Sequence, residues 1–532
     1  MTKTRAPSMR RASVFGIALL AGAVTFFWLS VVSAGPTAEG LAAQPWPDGA
    51  EYLDAAVSIH RHGRAAIHIG GEEHPSRYPA GFSLVTAAFL AAGVEPSAAP
   101  YRVNQFAGAL LLFVMAGWLA KARGVLEAGV ASLLLATFPS FVLLCRSPLS
   151  EISASVLVLG AVGLLYAFSR GGSLALGASG AALLGLATSF RLSNLFLATL
   201  ILAAVLSRRA GWRQRFREAS ALGAAMGLGV LPFFLGNWMS LGHPLENGYG
   251  YWVPYWSGSR AFSLEFLQPN LLYDLRELVQ REDRFTTANL YGSGSYFGPA
   301  LVALIGWALW TLRKDRRVVY FAIGCAMYYG AMKLYFFQDA RLIFPVFLLA
   351  LPAVASAIGR AYRRAGHARS SAGLGGLLLL ATILGFPGPG GHSETAALLR
   401  FERPSSPGLR FAKQLSRIGS EGPPLVLTDM NPPYVHAVTP PDTQVAPLYD
   451  NHLYRNNPEV FEFGATERRA LVAAALLEER SVWVLTYRRD IRTVHEVSPA
   501  PAGYAWEIVA TAKGPGLARL VAHRLTPSPM SP

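Results

Sequence analysis

The chain has 532 residues, of which 52% are hydrophobic and only 15% charged, with a mean hydropathy of +0.33. Soluble proteins carry about a quarter charged residues, so this composition and its repeated apolar runs exclude a soluble globular class and mark a polytopic membrane protein. The net charge of +15 does not point to nucleic acid: the basic residues sit in short clusters between apolar runs, as orientation signals do.

The first run, Ser13 to Ser33, is uncharged and follows Lys3, Arg5, Arg10 and Arg11. It is longer than a signal-peptide core and many runs follow it. It is therefore read as a retained anchor with a cytoplasmic amino end.

Next comes a polar stretch. "PDGAEYLDAAVSIHRHG" predicts a short interfacial helix with Tyr52, Ala55, Ala56 and Ile59 on one face. Asp48 follows Pro47 and precedes Glu51 by three residues, the arrangement of a capping box, and helix capping is one account of it. A capping carboxylate is a weaker base, because hydrogen bonds favour its charged form. "HPSRYPAGFSLVTAAFLAAGV" (74–94) then breaks at Pro79 and Gly81 before an apolar run too short to span, which predicts an interfacial or re-entrant helix. Arg77 there could equally bind lipid headgroups.

Further apolar runs cover 103–120, 126–145, 152–168, 172–190, 192–207, 219–239, 295–312, 318–337, 342–359 and 371–387, about eleven spans in all. Alternate threading places Lys121, Arg123, Arg170, Arg208, Arg209, Arg213, Arg215, Arg217, Arg313, Lys314, Arg316, Arg317, Arg360, Arg363, Arg364 and Arg369 in cytoplasmic loops. The opposite short loops are nearly free of such clusters, as the positive-inside rule requires. Outside loops then span 35–101 and 240–294 within a membrane domain of residues 1–390, and a tail of 391–532 is extracytoplasmic. "FPGPGGHSE" (386–394) marks where membrane gives way to tail. Strand-like "PLVLT" (424–428) and "SVWVLTY" (481–487) flank helical "ATERRALVAAALLEER" (465–480), so the tail is expected to be a small α/β domain.

Cys145 and Cys325 lie within apolar runs without metal-ligand spacing, and no Gly-rich loop precedes Lys-Ser or Lys-Thr. The latter speaks against an ATP-driven machine.

"PDGAEYLDAA" and "RYPAGFSL", in this order in an early outside loop, resemble the GT-C superfamily of glycosyltransferases. More narrowly they resemble its polyprenyl-phosphate-sugar-dependent branch, with protein O-mannosyltransferases and the lipid A aminoarabinose transferase. "SPLSE" (147–151), "GNWMSLGHPLENGYGYW" (236–252) and "FFQDARLIFPVFLLALPA" (336–353) are supporting echoes, and the resemblance covers about residues 10–390. One departure is Asp48-Gly49, where many members carry two adjacent acids.

The resemblance implies an all-α GT-C-like bundle and a donor sugar on an isoprenoid phosphate. The acceptor hydroxyl would belong to a lipid, glycan or protein at the outer face of the bacterial cytoplasmic membrane. Inversion of the anomeric centre follows from the same analogy. A poor nucleophile needs a base, for which Asp48 is the candidate and Glu51 the reserve. The leaving phosphate needs a fixed cation: Arg77, beside Tyr78, is best placed, with Arg341 a second candidate. Arg191 and Arg341 each sit where a span meets the outer surface, as functional intramembrane charges do; snorkelling, or pairing of Arg341 with Asp339, is the alternative. His243, Glu246 and Tyr249 are candidate substrate contacts, although the aromatics at 249–256 also suit a membrane interface. Glu127 and Glu151 are read as packing or helix-end residues. His60, His62 and His68 lack a conventional ligand pattern, so no metal ligands are assigned. Cofactor need stays open, since some relatives use a divalent cation (Mg or Mn) and others none.

The reading is a membrane glycosyltransferase. A transporter or lipid flippase is the rival class, lowered by the lack of a repeat. A GT-C scaffold without activity is the other rival, and a ligase moving a whole glycan is an alternative among enzymes.

Overall fold

The computed structural model describes residues 6–33, 47–253, 261–279, 297–337, 339–364, 423–449, 461–486, 498–513 and 519–528. The run 371–387, the "FPGPGGHSE" stretch, and Tyr255 and Trp256 lie outside them.

The amino-terminal run forms α1 (Ala6–Phe27), which continues as a π-helical turn through Val32. The polar stretch after it forms α2 (Pro47–His62), a hairpin of β1 (Ala66–Ile69) and β2 (Glu72–Pro75), and α3 (Gly81–Ala91). The bundle goes on with α4 (Ala99–Ala122), α5 (Val125–Thr137), α6 (Pro139–Cys145), α7 (Glu151–Ser169) and α8 (Leu174–Ala187). A 3₁₀ turn (Leu192–Ala198) leads into α9 (Thr199–Leu206), then α10 (Trp212–Leu241) and the short α11 (Gly248–Trp252). It closes with α12 (Leu267–Val279), α13 (Phe297–Leu312), α14 (Arg316–Lys333) and α15 (Phe344–Arg364), the last entered through a 3₁₀ turn at Ala340–Ile343.

Among the described residues, five helical segments are long and apolar enough to cross a membrane: Ser13–Val32, Ala99–Ala122, Glu151–Ser169, Trp212–Leu241 and Arg341–Arg364. The others are shorter than the runs suggested. The run 126–145 is two helices, because Phe138, with φ −69° and ψ 116°, is extended ahead of Pro139. Proline clashes with a helical residue before it, so the break follows from the sequence. Small residues set the helix spacing. A Cβ at Gly16 of α1 would come within 2.5 Å of the Val125 carbonyl oxygen, so α1 and α5 meet backbone to backbone.

The carboxy-terminal part is a five-stranded sheet. β3 (Leu425–Thr428) pairs in parallel with both β4 (Gln444–Pro447) and β5 (Val482–Thr486). β7 (Arg519–Pro527) runs antiparallel to β5 and to β6 (Tyr504–Lys513), giving the order β4-β3-β5-β7-β6. Helix α16 (Pro432–Val438) joins β3 to β4, and α17 (Ala465–Leu477) precedes β5. The strand and helix expectations for 424–428, 465–480 and 481–487 match these elements.

The stretch from α2 to β2 is where bundle and sheet meet. The sequence predicts α2 with one buried face; instead every side chain from Glu51 to Ser58 is buried. Tyr52 packs on Phe82 and Val103 toward the bundle. Leu53, Ala56 and Val57 pack on Tyr434, Val435 and Val438 of α16, and Ala55 joins the core of the sheet. The polar-looking remainder of α2 is thus covered by protein that its own periodicity cannot reveal.

Candidate active site

Asp48 stands in the first turn of α2, with its two carboxylate oxygens divided between partners. The Tyr78 hydroxyl donates to Oδ1 at 2.7 Å, and Arg341 Nη1 lies 3.2 Å from Oδ2. Burial pushes the Asp48 carboxyl up, but the Arg341 guanidinium, the Tyr78 hydrogen bond and the charges of Arg191 and Arg77 outweigh it and hold it below the usual carboxylate range. The Tyr78 phenol is driven the other way, chiefly by burial and then by Asp48, so it stays a donor.

Arg341 is organised by its own 3₁₀ turn. Its backbone N–H donates to Asp339 Oδ1 at 2.8 Å, and Nε and Nη2 both lie 2.6 Å from Asp339 Oδ2. The same guanidinium reaches Glu151 Oε1 at 3.4 Å, and Glu151 also pairs with Arg191. Asp48, Glu151 and Asp339 therefore converge on Arg341, while Arg191 shares the same Glu151 oxygen, Oε1. Pairing with Asp339 and contact with Asp48 coexist. Glu151 is the residue sequence reasoning undervalued. Its place at the first turn of α7 looks like a helix-end role, and only the fold brings two arginines to it.

Glu51 faces elsewhere. Its Oε2 accepts the Arg77 backbone N–H at 3.1 Å and its Oε1 lies 3.5 Å from Arg77 Nη2. It tethers the loop that carries Arg77 and Tyr78. Gly49 explains why an acidic neighbour is missing: a Cβ there would sit 2.6 Å from Pro148 Cγ and 3.0 Å from the Pro148 carbonyl oxygen. Pro148 is itself fixed, because Asn104 Nδ2 donates to the carbonyls of Ser147 and Leu149 at 2.6 and 2.5 Å. The "SPLSE" segment thus packs against the first turn of α2.

The "RYPAG" turn is anchored by its glycine. Gly81 N–H donates to the Ser189 carbonyl at 2.7 Å, and a Cβ at Gly81 would come within 2.5 Å of that oxygen. This docks the start of α3 against the end of α8. A cleft opens alongside, with Arg77, Tyr78 and Tyr249 at one part of its wall and Leu84, Pro232 and Phe233 at another. Tyr249 meets Tyr78 edge-on at 5.7 Å between ring centroids. His243 and Glu246 are exposed on the connection from α10 to α11, and neither touches the Asp48 cluster. Trp252, grouped by sequence with interfacial aromatics, is wholly buried in the core of the sheet and donates from Nε1 to the Pro75 carbonyl at 2.8 Å.

The three histidines separate as well. His60 and His62 are exposed at the end of α2, whereas His68 turns inward toward Asp54 and His436.

No protein-family description matches the chain, and no curated protein matches it by sequence. Solved structures do match in shape. ArnT from Cupriavidus metallidurans bound to undecaprenyl phosphate superposes with a TM-score of 0.62 at 13% identity, covering 96% of this chain and 98% of that one. The apo state of that protein gives 0.58 at 14% identity over 97% and 98%. The archaeal oligosaccharyltransferase AglB from Archaeoglobus fulgidus, in complex with an inhibitory peptide and a dolichol-phosphate, gives 0.52 at 13% identity over 89% of this chain and 69% of that one. At such identities the likeness establishes the fold alone: this chain shares the fold of ArnT and AglB, two of the membrane proteins it resembles in shape.

Proposed function

We propose that the protein is a membrane glycosyltransferase that moves a sugar from a polyprenyl-phosphate carrier to an acceptor hydroxyl outside the cytoplasmic membrane. The observation that carries this reading is Asp48, held between the Tyr78 hydroxyl and Arg341 beside a cleft whose wall includes Arg77. The shared fold with structures bound to undecaprenyl phosphate and dolichol-phosphate supports a lipid-phosphate donor.

In the proposed reaction the acceptor oxygen attacks the anomeric carbon as the bond from that carbon to the phosphate oxygen breaks. Polyprenyl phosphate leaves with the bonding pair, and a single displacement inverts the centre. A carboxylate held below the usual range is a weak base toward a free alcohol. It becomes competent as the new bond forms, because the attacking hydroxyl then turns strongly acidic, and Asp48 receives its proton. Arg77 meets the charge that develops on the phosphate, and Arg341 keeps Asp48 ionised and aimed. Tyr249 lines the same cleft, Arg191 pairs with Glu151 beside the Asp48 cluster, and the apolar wall of the cleft suits an isoprenoid chain. His243 and Glu246, exposed and apart, are left to contact acceptor from outside.

The necessity of glycine at position 49 speaks against reading Asp48-Gly49 as a decayed active site. We place the amino end in the cytoplasm, residues 391–532 outside as a separate domain, and the whole in the bacterial inner membrane, on the strength of the basic clusters. No divalent cation is assigned to the Asp48 site, whose carboxylates already have arginine partners.

The test is release of polyprenyl phosphate by protein in nanodiscs, with a panel of polyprenyl-phosphate-linked sugars and extracted envelope acceptors. Release by the wild type that collapses in Asp48→Asn supports the reading. Absence of release with every donor, from a folded preparation, overturns it in favour of a transporter or a scaffold.

A further inference from the structure

Asp54 lies on α2 six residues after Asp48, about 9 Å along the helix at 1.5 Å per residue. It has no part in the cluster around Arg341. Its side chain is wholly buried, and a buried carboxylate requires strong compensation. Two imidazoles from distant parts of the chain supply it. His436 Nδ1, from α16 of the sheet, stands 2.6 Å from Asp54 Oδ1. His68 Nδ1, from β1, stands 3.4 Å from Oδ2, and the His68 backbone N–H donates to the same oxygen at 2.6 Å. The two rings stack with centroids 4.0 Å apart and planes at 22°, which turns both Nδ1 edges toward one carboxylate. All three donor atoms lie within 4.8 Å of one another.

We propose that Asp54, His68 and His436 form a zinc site that fastens the outside loop of the bundle to the carboxy-terminal sheet. Two imidazole nitrogens and one carboxylate oxygen are donors that Zn²⁺ accepts, with bonds of about 2.0–2.2 Å. Those bonds set ligand atoms roughly 3.3 Å apart in a tetrahedral arrangement, so the present cluster needs only sub-ångström to ångström adjustments to close on an ion. Zinc takes the place of the Nδ1 protons, which leave to solvent, and water fills the fourth position. Glu73 stands behind His68, with Oε1 at 3.6 Å from Nε2, where a carboxylate orients a metal-bound imidazole. Arg61 also feels the charge of Asp54, a cation that the bound ion must tolerate and that limits its affinity. Both histidine side chains keep slight exposure, 15% and 12%, which leaves an entry path.

The three ligands come from helix, hairpin and sheet, so the ion acts as a staple. It sits too far from Asp48 to touch the reacting atoms.

The test uses the purified full chain, supplied with ZnCl₂ and then freed of excess by gel filtration. We expect close to one zinc per chain in the wild type, removed by a strong chelator and restored by adding zinc back. The thermal midpoint should fall and recover in step. Asp54→Asn and His436→Gln should each lose the ion. Co²⁺ replacement in the wild type gives a second readout that does not depend on how the variants fold: intense visible bands of a tetrahedral cobalt centre. Substoichiometric zinc with no cobalt bands overturns the proposal, as does zinc that both variants retain. These readouts need no sugar donor, so their failure is separate from failure of the proposed transferase activity.

Discussion

Arg341 Nη1 lies 3.2 Å from Asp48 Oδ2, joining the 3₁₀ turn before α15 to the first turn of α2 across 293 residues of sequence. The guanidinium bonds to Asp339 and reaches Glu151 as well, so its planar fork serves three carboxylates at once. Lysine has one point charge and cannot keep that geometry. Arg341→Lys should therefore retain the fold but lower transferase activity more than tenfold. Arg341→Ala leaves buried carboxylates unpaired and should cost about 3–5 kcal/mol of stability. Activity and detergent melting curves of both variants check this pair of outcomes.

Asp48→Asn removes the proposed base while keeping the shape. General-base catalysis is worth about 10²–10⁴ in rate, and a loss in that range is expected; the melting temperature should fall only modestly, because Asp339 and Glu151 still pair with Arg341. Glu51→Gln, whose oxygen can still accept the Arg77 backbone N–H, should cost less than tenfold. A larger loss in Glu51→Gln than in Asp48→Asn, read from initial rates, would reverse the assignment of base and support.

The pH profile follows from the depressed Asp48 carboxyl. A folded-state value below the unfolded one means the ionised form, and the stability it brings, is present above the ordinary aspartate range near 3.9 and is lost only as pH falls through the lower folded value. Activity should hold down to about pH 4 before its acid limb. Tyr78→Phe deletes the 2.7 Å hydrogen bond, so the acid limb should move to higher pH. Initial rates of wild type and Tyr78→Phe across pH, with fold monitored in parallel, measure the shift.

Gly49→Asp would build the adjacent acid pair from which this sequence departs in its family resemblance. Here its Cβ meets Pro148 at 2.6 Å, and overpacking of this kind costs typically about 1–3 kcal/mol. We expect a lower melting temperature and lower activity, partly recovered in the double variant with Pro148→Ala. A gain in activity in Gly49→Asp alone would show that the α2–"SPLSE" contact yields readily.

Several features could be read along the chain because their causes are local. Apolar runs must be helical where no water is present to satisfy the backbone, and Pro139 marks the break at Phe138. Alternating β-branched residues make β3 and β5, while Pro47 and Asp48 open α2. The candidate residues Asp48, Arg77, Tyr78 and Arg341 were legible through motif order rather than through any local signature of proximity.

Tertiary structure alone decided the rest. Glu151 reads as a helix start until α15 and the end of α8 bring Arg341 and Arg191 to it. Asp54 reads as the polar side of an interfacial helix until β1 and α16 close over it with two histidines. The physical reason is common to both. Periodicity reports which face of a helix avoids water, but a buried charge is tolerated only through partners, and those partners here lie from 14 to 382 residues away in the chain.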